Sequence, residues 1–299
     1  GGSNYQTVGF EMALQNIQAA ANEALDGQQA SWGAFCLAGA DLPPDFARLT
    51  PELRNMNLCD AFILYNDVHA ILRAGTSRPY GVAVVCGSGF NAGGIGIDGR
   101  EARLPALGAV TGDRGGGYDL GESAMGAAFR AWDGRGQPTV LQIMVLRAFN
   151  SPNMETLAEM IVQEQVSWQN ICNLAPLVFE AALQNDAVAC EILRLQGQEI
   201  GITITAILRR LDLQESACDA VLGGSVFAGA GSLLLDTIHA EIEPIAPNVT
   251  VKRLDVKPVV GAGLLALDHA GITQDTQWNS IFRAGLPGDL VLSVDEAGA

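Results

Sequence analysis

An aspartate follows a short apolar segment at a point where a carboxylate could act on a substrate. Residues 61–65 have the composition of a buried strand, and Asn66 and Asp67 come directly after them. Ligands bind at the carboxyl ends of parallel strands, where Asp67 could accept the proton of an attacking hydroxyl. Asp67 could instead cap a helix over residues 68–74. Taken alone, this segment favours the structural role.

Two glycine-rich turns also follow apolar segments, after residues 81–86 and 217–222. Their residues are Gly87, Ser88 and Gly89 in the first turn, and Gly223, Gly224 and Ser225 in the second. Glycines let backbone N–H groups approach phosphate oxygens, and a serine adds a hydroxyl donor. The helix predicted after the second turn could bind a nucleotide at its N-terminus. Each turn taken singly also fits a tight turn or close helix–strand packing, so both interpretations stay open.

A third loop, residues 111–118, places Asp113 among four glycines. That density favours a ligand loop over a connecting loop. The three histidines, His69, His239 and His269, do not form a set and are predicted to have surface or core roles. No histidine or carboxylate motif indicates a metal site built by the protein.

Composition narrows the functional classes. The net charge of −16 argues against binding to nucleic acid or to an anionic membrane, because both would repel the chain. ATP stays possible, since backbone amides and Mg²⁺ can hold its phosphates. The six cysteines are dispersed, with no zinc or redox motif, as is typical of a reducing compartment. With no segment of transmembrane length and no signal-peptide pattern, we predict a cytoplasmic protein.

The elements that must position these residues alternate between strand and helix. An apolar stripe predicts a helix over 8–25 with Thr7 as its cap. Strands are predicted at 32–38, 61–65, 81–86 and 94–97, the last turning at Asp98–Gly99 toward an antiparallel partner. Helical spacing follows at 122–132, 139–147, 154–169 and 174–211, with breaks near 150–152 and 185–186. Strands at 217–222 and 249–254 then alternate with helices at 231–242 and 260–270, which indicates an α/β protein with a mainly parallel sheet.

Taken in order, these motifs are more specific than any one alone. The segments are NDVHAILRAG, VVCGSGFNAGGIGIDGR, TGDRGGGYDLG, DGRGQP, VLGGSVFAGAGSLL and VVGAGLLALD, with GGSNYQTVG at the start. Together they resemble the N-acetylglucosamine kinase and BadF/BadG-type ATPase family over nearly the whole chain. The resemblance implies an actin-like ATPase (ribonuclease H-like) α/β fold with two domains and a cleft between them. Domain I would comprise residues 1–65, which the C-terminal tail could rejoin, and domain II residues 66–299 with a helical insertion at about 139–214.

The resemblance also implies an activity and a site. The activity would be ATP- and Mg²⁺-dependent phosphorylation of an N-acetylglucosamine-like amino sugar or a hexose, with Asp67 as the general base. The ATP-binding residues would be Gly87, Ser88 and Gly89 at the phosphates, and Gly223, Gly224, Ser225 and Gly229 toward the adenosine. The sugar side would comprise Asn4, Leu107, Gly108 and Asp113, with Asn91 closing the phosphate motif beside the substrate. The oligomeric state stays open, with a homodimer among the candidates.

The sequence departs from the family pattern in three places. Arg114 replaces an acid in the usual GDEGS, and Leu107 replaces a tryptophan near the sugar, so we expect an altered acceptor pocket. The family's first phosphate loop, an Asp-Gly-Gly-Gly-Thr-like turn, does not precede Gly1, and we expect the native protein to carry a further N-terminal segment.

Two alternatives to the kinase remain. One is an ATPase coupled to a partner protein; relatives of that kind use a cysteine-ligated iron–sulfur cluster, against which the dispersed cysteines count. The other is a sugar-binding sensor without catalysis, which the absent phosphate loop and Arg114 would permit.

Overall fold

The computed structural model describes residues 2–227, 231–272 and 282–292. In this part of the chain the strands are β1 (Ala30–Leu37), β2 (Cys59–Asn66), β3 (Gly81–Cys86), β4 (Phe90–Ile95), β5 (Glu101–Arg103), β6 (Asp219–Gly223) and β7 (Thr250–Arg253). The α-helices are α1 (Tyr5–Val8), α2 (Phe10–Leu25), α3 (Pro43–Asn55), α4 (Asp67–Gly75), α5 (Gly117–Trp132), α6 (Leu141–Ala148), α7 (Met154–Val162), α8 (Trp168–Cys172), α9 (Ala175–Leu183), α10 (Ala187–Arg210), α11 (Ser232–Ile242) and α12 (Pro258–His269).

Residues 2–66 build a small parallel sheet with its own core. β1 and β2 pair in parallel from Ala30 opposite Cys59 to Leu37 opposite Asn66. The apolar residues of this core are Ile17, Leu37, Ala40, Leu49, Leu53 and Leu64. The predicted helix over 8–25 is interrupted at Gly9, whose φ of 88° ends α1 and starts α2. Asn4 rather than Thr7 caps the first helix, because its side chain accepts a hydrogen bond from the Gln6 N–H.

A larger mixed sheet has the strand order β5-β4-β3-β6-β7. β3, β6 and β7 are parallel, whereas β3, β4 and β5 form an antiparallel meander. The turn predicted at Asp98–Gly99 is confirmed between β4 and β5. β4 starts earlier than the predicted 94–97, because pairing with β3 resumes at Phe90, directly opposite Cys86.

Helices cover both faces of this sheet, as the uniformly apolar β3 predicts. Val82 and Val84 contribute to the core shared with α5, α9 and α10. Ala83, one residue away on the opposite face, packs in the core of α4 and α12. α12 lies so close to α4 that a β-carbon on Gly261 would stand 1.9 Å from the Ala70 carbonyl oxygen. Only glycine permits this approach.

The segment between β5 and β6 is largely helical, from α5 to α10. The break predicted near 185–186 separates α9 from α10, whose N-cap is Asp186. The helix predicted over 154–169 is instead two helices, α7 and α8, because the chain turns after Val162 and Glu164 adopts a φ of 56°. Residues 282–292 lie beside the end of β7, where the Lys257 N–H donates to the Leu290 carbonyl at 2.9 Å. None of the helices in the described ranges is long and apolar enough to span a membrane.

Candidate active site

The ends of β2 and β3 face a single cleft of about 650 Å³. Eight of the residues predicted for the site line it: Asn4, Asp67, Gly87, Ser88, Gly89, Asn91, Gly108 and Asp113. They come from four separate parts of the sequence. Both β2 and β3 deliver their loops from their carboxyl ends, which is where open α/β sheets bind ligands.

Asp67 is the first residue of α4 rather than its cap. Asn66 is the N-cap, and its side-chain oxygen accepts from the Val68 N–H at 3.2 Å. The Asp67 carboxylate is therefore left to face the cleft, where Asn91 Nδ2 donates to its Oδ1 at 3.0 Å. Burial raises the pKa of Asp67, and the hydrogen bond from Asn91 opposes part of that shift. Such a carboxylate has the position and the increased basicity that a proton acceptor needs.

The Gly87–Ser88–Gly89 turn joins β3 to β4 and exposes its backbone to the cleft. A β-carbon on Gly87 or Gly89 would meet no atom within 4 Å, so the space beside both residues is open. The N-terminus of α5 holds the turn from behind: the Gly117 N–H donates to the Gly87 carbonyl at 2.7 Å and the Tyr118 N–H to the Ser88 carbonyl at 3.0 Å. The carbonyls of the turn are thus fixed on one side, and its open side can accommodate phosphate oxygens.

The glycines of the 111–118 loop permit this contact. A β-carbon on Gly116 would lie 2.6 Å from the Gly89 carbonyl carbon, and one on Gly115 would overlap the Phe90 ring. The glycine density that suggested a ligand loop therefore also serves close packing against the phosphate turn. Asp119 caps α5, since its Oδ2 accepts from the Gly115 and Gly116 N–H groups, both at 3.0 Å.

A second cavity of about 680 Å³ lies on the other side of the same turn. It shares Gly87 and Ser88 with the cleft and includes Ser225, one of the residues predicted on the adenosine side. Its apolar lining comprises Ala175, Pro176, Phe179, Leu183 and Val226. The apolar side chains suit the flat face of an aromatic base, and the shared turn would lie at the phosphates of a nucleotide bound there.

The second glycine-rich turn brings β6 against β3. Gly224 has a φ of 107°, and a β-carbon there would stand 2.3 Å from the Cys86 carbonyl oxygen. Gly223 lies within β6 and packs against Ile71, outside the lining of both cavities. Gly229 lies outside the described residues.

Asp113 forms hydrogen bonds to other residues of the predicted sugar loop and so fixes the conformation of that loop. Asp113 is only 6% exposed, and its Oδ2 accepts from the Leu107 N–H at 3.0 Å and from the Thr111 hydroxyl. Gly108, with a φ of 73°, lines the cleft, whereas the neighbouring Leu107 is 52% exposed and is not among the lining residues. Arg114 lies in a separate groove beside Ser123 and residues of α10, so its side chain is not part of the cleft wall.

Sequence reasoning missed a charged pair at the edge of the cleft. Asp41 lines the cleft, its side chain is 7% exposed, and Arg103 of β5 contacts it at 3.0 Å. Burial raises the pKa of Asp41, while Arg103 lowers it and Asp67 raises it further. The rule that identified Asp67 could have identified Asp41, which follows the apolar segment of β1 by four residues. No sequence pattern around Arg103 indicates a role at the site.

The open backbone at Gly87 and Gly89, continuous with the apolar second cavity, fits a nucleotide. Asp67, Asp119 and Glu122 line the cleft. In the portion of the chain that the structure describes, no group of three or more His, Cys, Asp or Glu side chains is placed to hold a metal ion. Mg²⁺ takes few protein ligands when nucleotide phosphates bind it, so it would be held mainly by the nucleotide.

This fold and this cleft define a protein of the actin-like ATPase fold that sugar kinases share. A solved structure assigned as an N-acetylglucosamine kinase from Chromobacterium violaceum is 22% identical, with a TM-score of 0.62 over 86% of this chain and 85% of the other. A ROK hexokinase from Thermus thermophilus gives 0.53 at 16% identity, over 88% of each chain. The chain belongs to the BadF/BadG/BcrA/BcrD ATPase family, which it matches over residues 1–266. The predicted fold and family are therefore confirmed.

Two curated relatives carry specific names. An N-acetylmuramic acid/N-acetylglucosamine kinase from Clostridium acetobutylicum is 27% identical over 235 residues, covering 78% of this chain and 76% of the relative. An N-acetyl-D-glucosamine kinase from Dictyostelium discoideum is 27% identical over 286 residues, covering 89% of this chain and 88% of the relative.

Proposed function

We propose that this chain transfers the terminal phosphoryl group of ATP to a hydroxyl of an N-acetylglucosamine-like amino sugar or a hexose, with Asp67 as the general base. The observation that carries the proposal is the position of the Ser88 turn. This turn lines both the cleft that contains the Asp67 carboxylate and the apolar cavity beside Ser225. A sugar in the first space and a nucleotide in the second would meet at the turn. The names of the relatives support this pair of substrates.

In the proposed reaction the acceptor hydroxyl lies beside Asp67, which takes its proton as the oxygen attacks the γ-phosphorus of ATP; the bond from that phosphorus to the bridging oxygen breaks and ADP leaves. Asn91 orients the carboxylate through its hydrogen bond to Oδ1. Asn4, Gln6 and Gly108 line the cleft and supply polar groups that could bind sugar hydroxyls. The N–H groups of the Ser88 turn would bind phosphate oxygens, and Mg²⁺ would neutralise part of their charge. Most of the rate would come from this positioning.

The experiment is a sugar-dependent ADP-release assay on the full chain with Mg²⁺-ATP. The panel comprises N-acetylglucosamine, N-acetylmannosamine, N-acetylmuramic acid, glucosamine and glucose, with a no-sugar control. ADP release stimulated by one of these sugars, with a matching sugar phosphate detected by mass spectrometry, supports the proposal. Release that no sugar changes would indicate an ATPase coupled to a partner. Sugar binding by calorimetry without turnover would indicate a sensor.

We further propose that the chain works as two domains, residues 1–65 and 66–299, that close on the cleft around the sugar. The separate core of the small sheet supports this division, and closure would exclude water from the phosphoryl group. A decrease in the radius of gyration on addition of sugar and ATP analogue, measured by small-angle scattering, tests it. A cytoplasmic location and a homodimer remain predictions.

A further inference from the structure

A continuous set of hydrogen bonds connects Asp67 to the buried charge pair of Asp41 and Arg103. Arg103 Nη2 donates to Asp41 Oδ1 at 3.0 Å, and Asn66 Nδ2 donates to the same oxygen at 2.9 Å. Asn91 Nδ2 then donates both to Asn66 Oδ1 and to Asp67 Oδ1, each at 3.0 Å. These four bonds link the side chains in sequence from Arg103 to Asp67, so each side chain constrains the orientation of the next.

Three members of this set are shielded from water. Asn66 is fully buried, the Asp41 side chain is 7% exposed and the Arg103 side chain is 15% exposed. Arg103 Nη1 also donates to the Ala40 carbonyl at 3.3 Å, which fixes the guanidinium in place. Charges in such an environment interact more strongly than charges at the surface. The pair is therefore placed to influence a neighbouring carboxylate.

We propose that Arg103 and Asp41 form a positioning pair for the reaction, in which the fixed guanidinium keeps the Asp67 carboxylate ionised and Asp41 holds that guanidinium in place. The inference rests on the proposed role of Asp67 as the base. Neither Arg103 nor Asp41 needs to contact the reacting atoms, because they act through Asp67.

Several titratable groups face Asp67 from the elements packed around it. Arg103 approaches from β5 and lowers the pKa of Asp67, against the larger effect of burial. Asp41 approaches from the loop after β1, and Asp45 of α3 in turn raises the pKa of Asp41. Cys36 of β1 is also close, but burial raises the pKa of its thiol to about 12, so it stays neutral. Without Arg103, the two carboxylates would lose a cation that lowers the pKa of each, and their shared titration would move to higher pH.

The test compares pH profiles of kcat/KM for three variants. Arg103→Gln removes the cation, and we expect the acid limb to move to higher pH by about half a unit or more. Arg103→Lys keeps the charge, and its limb should stay near that of the wild type even if its rate falls. Arg103→Gln combined with Asp41→Asn removes both charges, so the limb should return toward the wild-type position. A purely structural pair predicts no such return.

Two further measurements test the inference if Arg103→Gln does not fold or if no sugar supports turnover. If Arg103→Gln does not fold, the double variant is compared with the wild type directly, because it leaves no unpaired buried charge. A displaced acid limb in the pH profile of the double variant overturns the proposal. The titration of the Asp67 carboxyl is also followed by ¹³C NMR with labelled aspartate, its signal being assigned by its loss in Asp67→Asn. If no sugar supports turnover, the proposed function fails while the NMR titration still tests the pair. Equal shifts in Arg103→Lys and Arg103→Gln, or no recovery in the double variant, refute it.

Discussion

Replacement of Asp67 by asparagine should separate catalysis from binding. We expect kcat for sugar-dependent ADP release to fall about 100-fold or more, the usual contribution of a positioned base. This loss corresponds to ~2.7 kcal/mol or more in the activation barrier. The KM for the sugar should change by less than about threefold, because the amide keeps the volume of the carboxylate and its Oδ1 can still accept from Asn91.

The structure also predicts the direction of the stability change. Burial raises the pKa of Asp67 in the folded protein, so at neutral pH the buried carboxylate weakens folding relative to a neutral group. That cost is absent below the unfolded-state pKa, grows as pH rises above it, and is complete once pH has passed the raised folded-state pKa. The neutral amide avoids it, and the melting temperature of Asp67→Asn at pH 7 should equal or exceed that of the wild type.

The matched control is Asp60→Asn. Asp60 is an exposed aspartate on β2, the strand that directly precedes Asp67, and its replacement should leave both turnover and sugar affinity unchanged. Turnover is followed by a coupled ADP assay, sugar binding by calorimetry and unfolding by circular dichroism. Near-normal turnover in Asp67→Asn would contradict the assignment of the base. A lower melting temperature together with lost sugar binding would show that Asp67 serves the structure instead.

Three further changes test other parts of the site. Gly224→Ala would place a methyl group about 2.3 Å from the Cys86 carbonyl oxygen, at a φ of 107°. We expect the free energy of unfolding in urea to fall by ~2–4 kcal/mol and ATP binding measured by calorimetry to weaken. Unchanged ATP affinity would argue against a role of the shared turn in binding ATP. Arg114→Glu should alter the sugar KM by less than about threefold, as for a surface substitution away from the site, whereas a tenfold change would place Arg114 at the sugar. Asp219 is 2% exposed and ion-paired to Lys252 at 2.9 Å; although burial acts to raise its pKa, hydrogen bonds and ion pairs lower it. The stability contributed by this pair should be present at neutral pH and lost as pH falls through the lowered pKa of Asp219. We therefore expect Asp219→Asn to lower the free energy of unfolding in urea by ~2 kcal/mol at pH 7, and that free energy to fall less on acidification than it does in the wild type. The same dependence on pH in both proteins would exclude this contribution.

Short-range sequence patterns determined the helices, strands and turns of this protein. β3 was predicted with its observed bounds because a strand buried on both faces must be apolar at every position. The turn at Asp98–Gly99 and the break before α10 were equally predictable from the sequence. Aspartate and glycine favour turns, and Asp186 favours a helix cap, through their own backbone and side-chain chemistry. The order of the glycine-rich motifs was enough to indicate the family.

The tertiary structure decided which residues act together. Asp67 had two roles open in the sequence, and the position of Asn66 as the N-cap left its carboxylate to the cleft. Asp41 and Arg103 are 62 residues apart, and only the packing of β5 beside the β1 loop brings them within hydrogen-bond distance. Capping and turn preferences act over a few residues, whereas a cleft is formed by side chains distant in sequence. That is why the sequence predicted the elements, while the geometry of the site depended on how they pack.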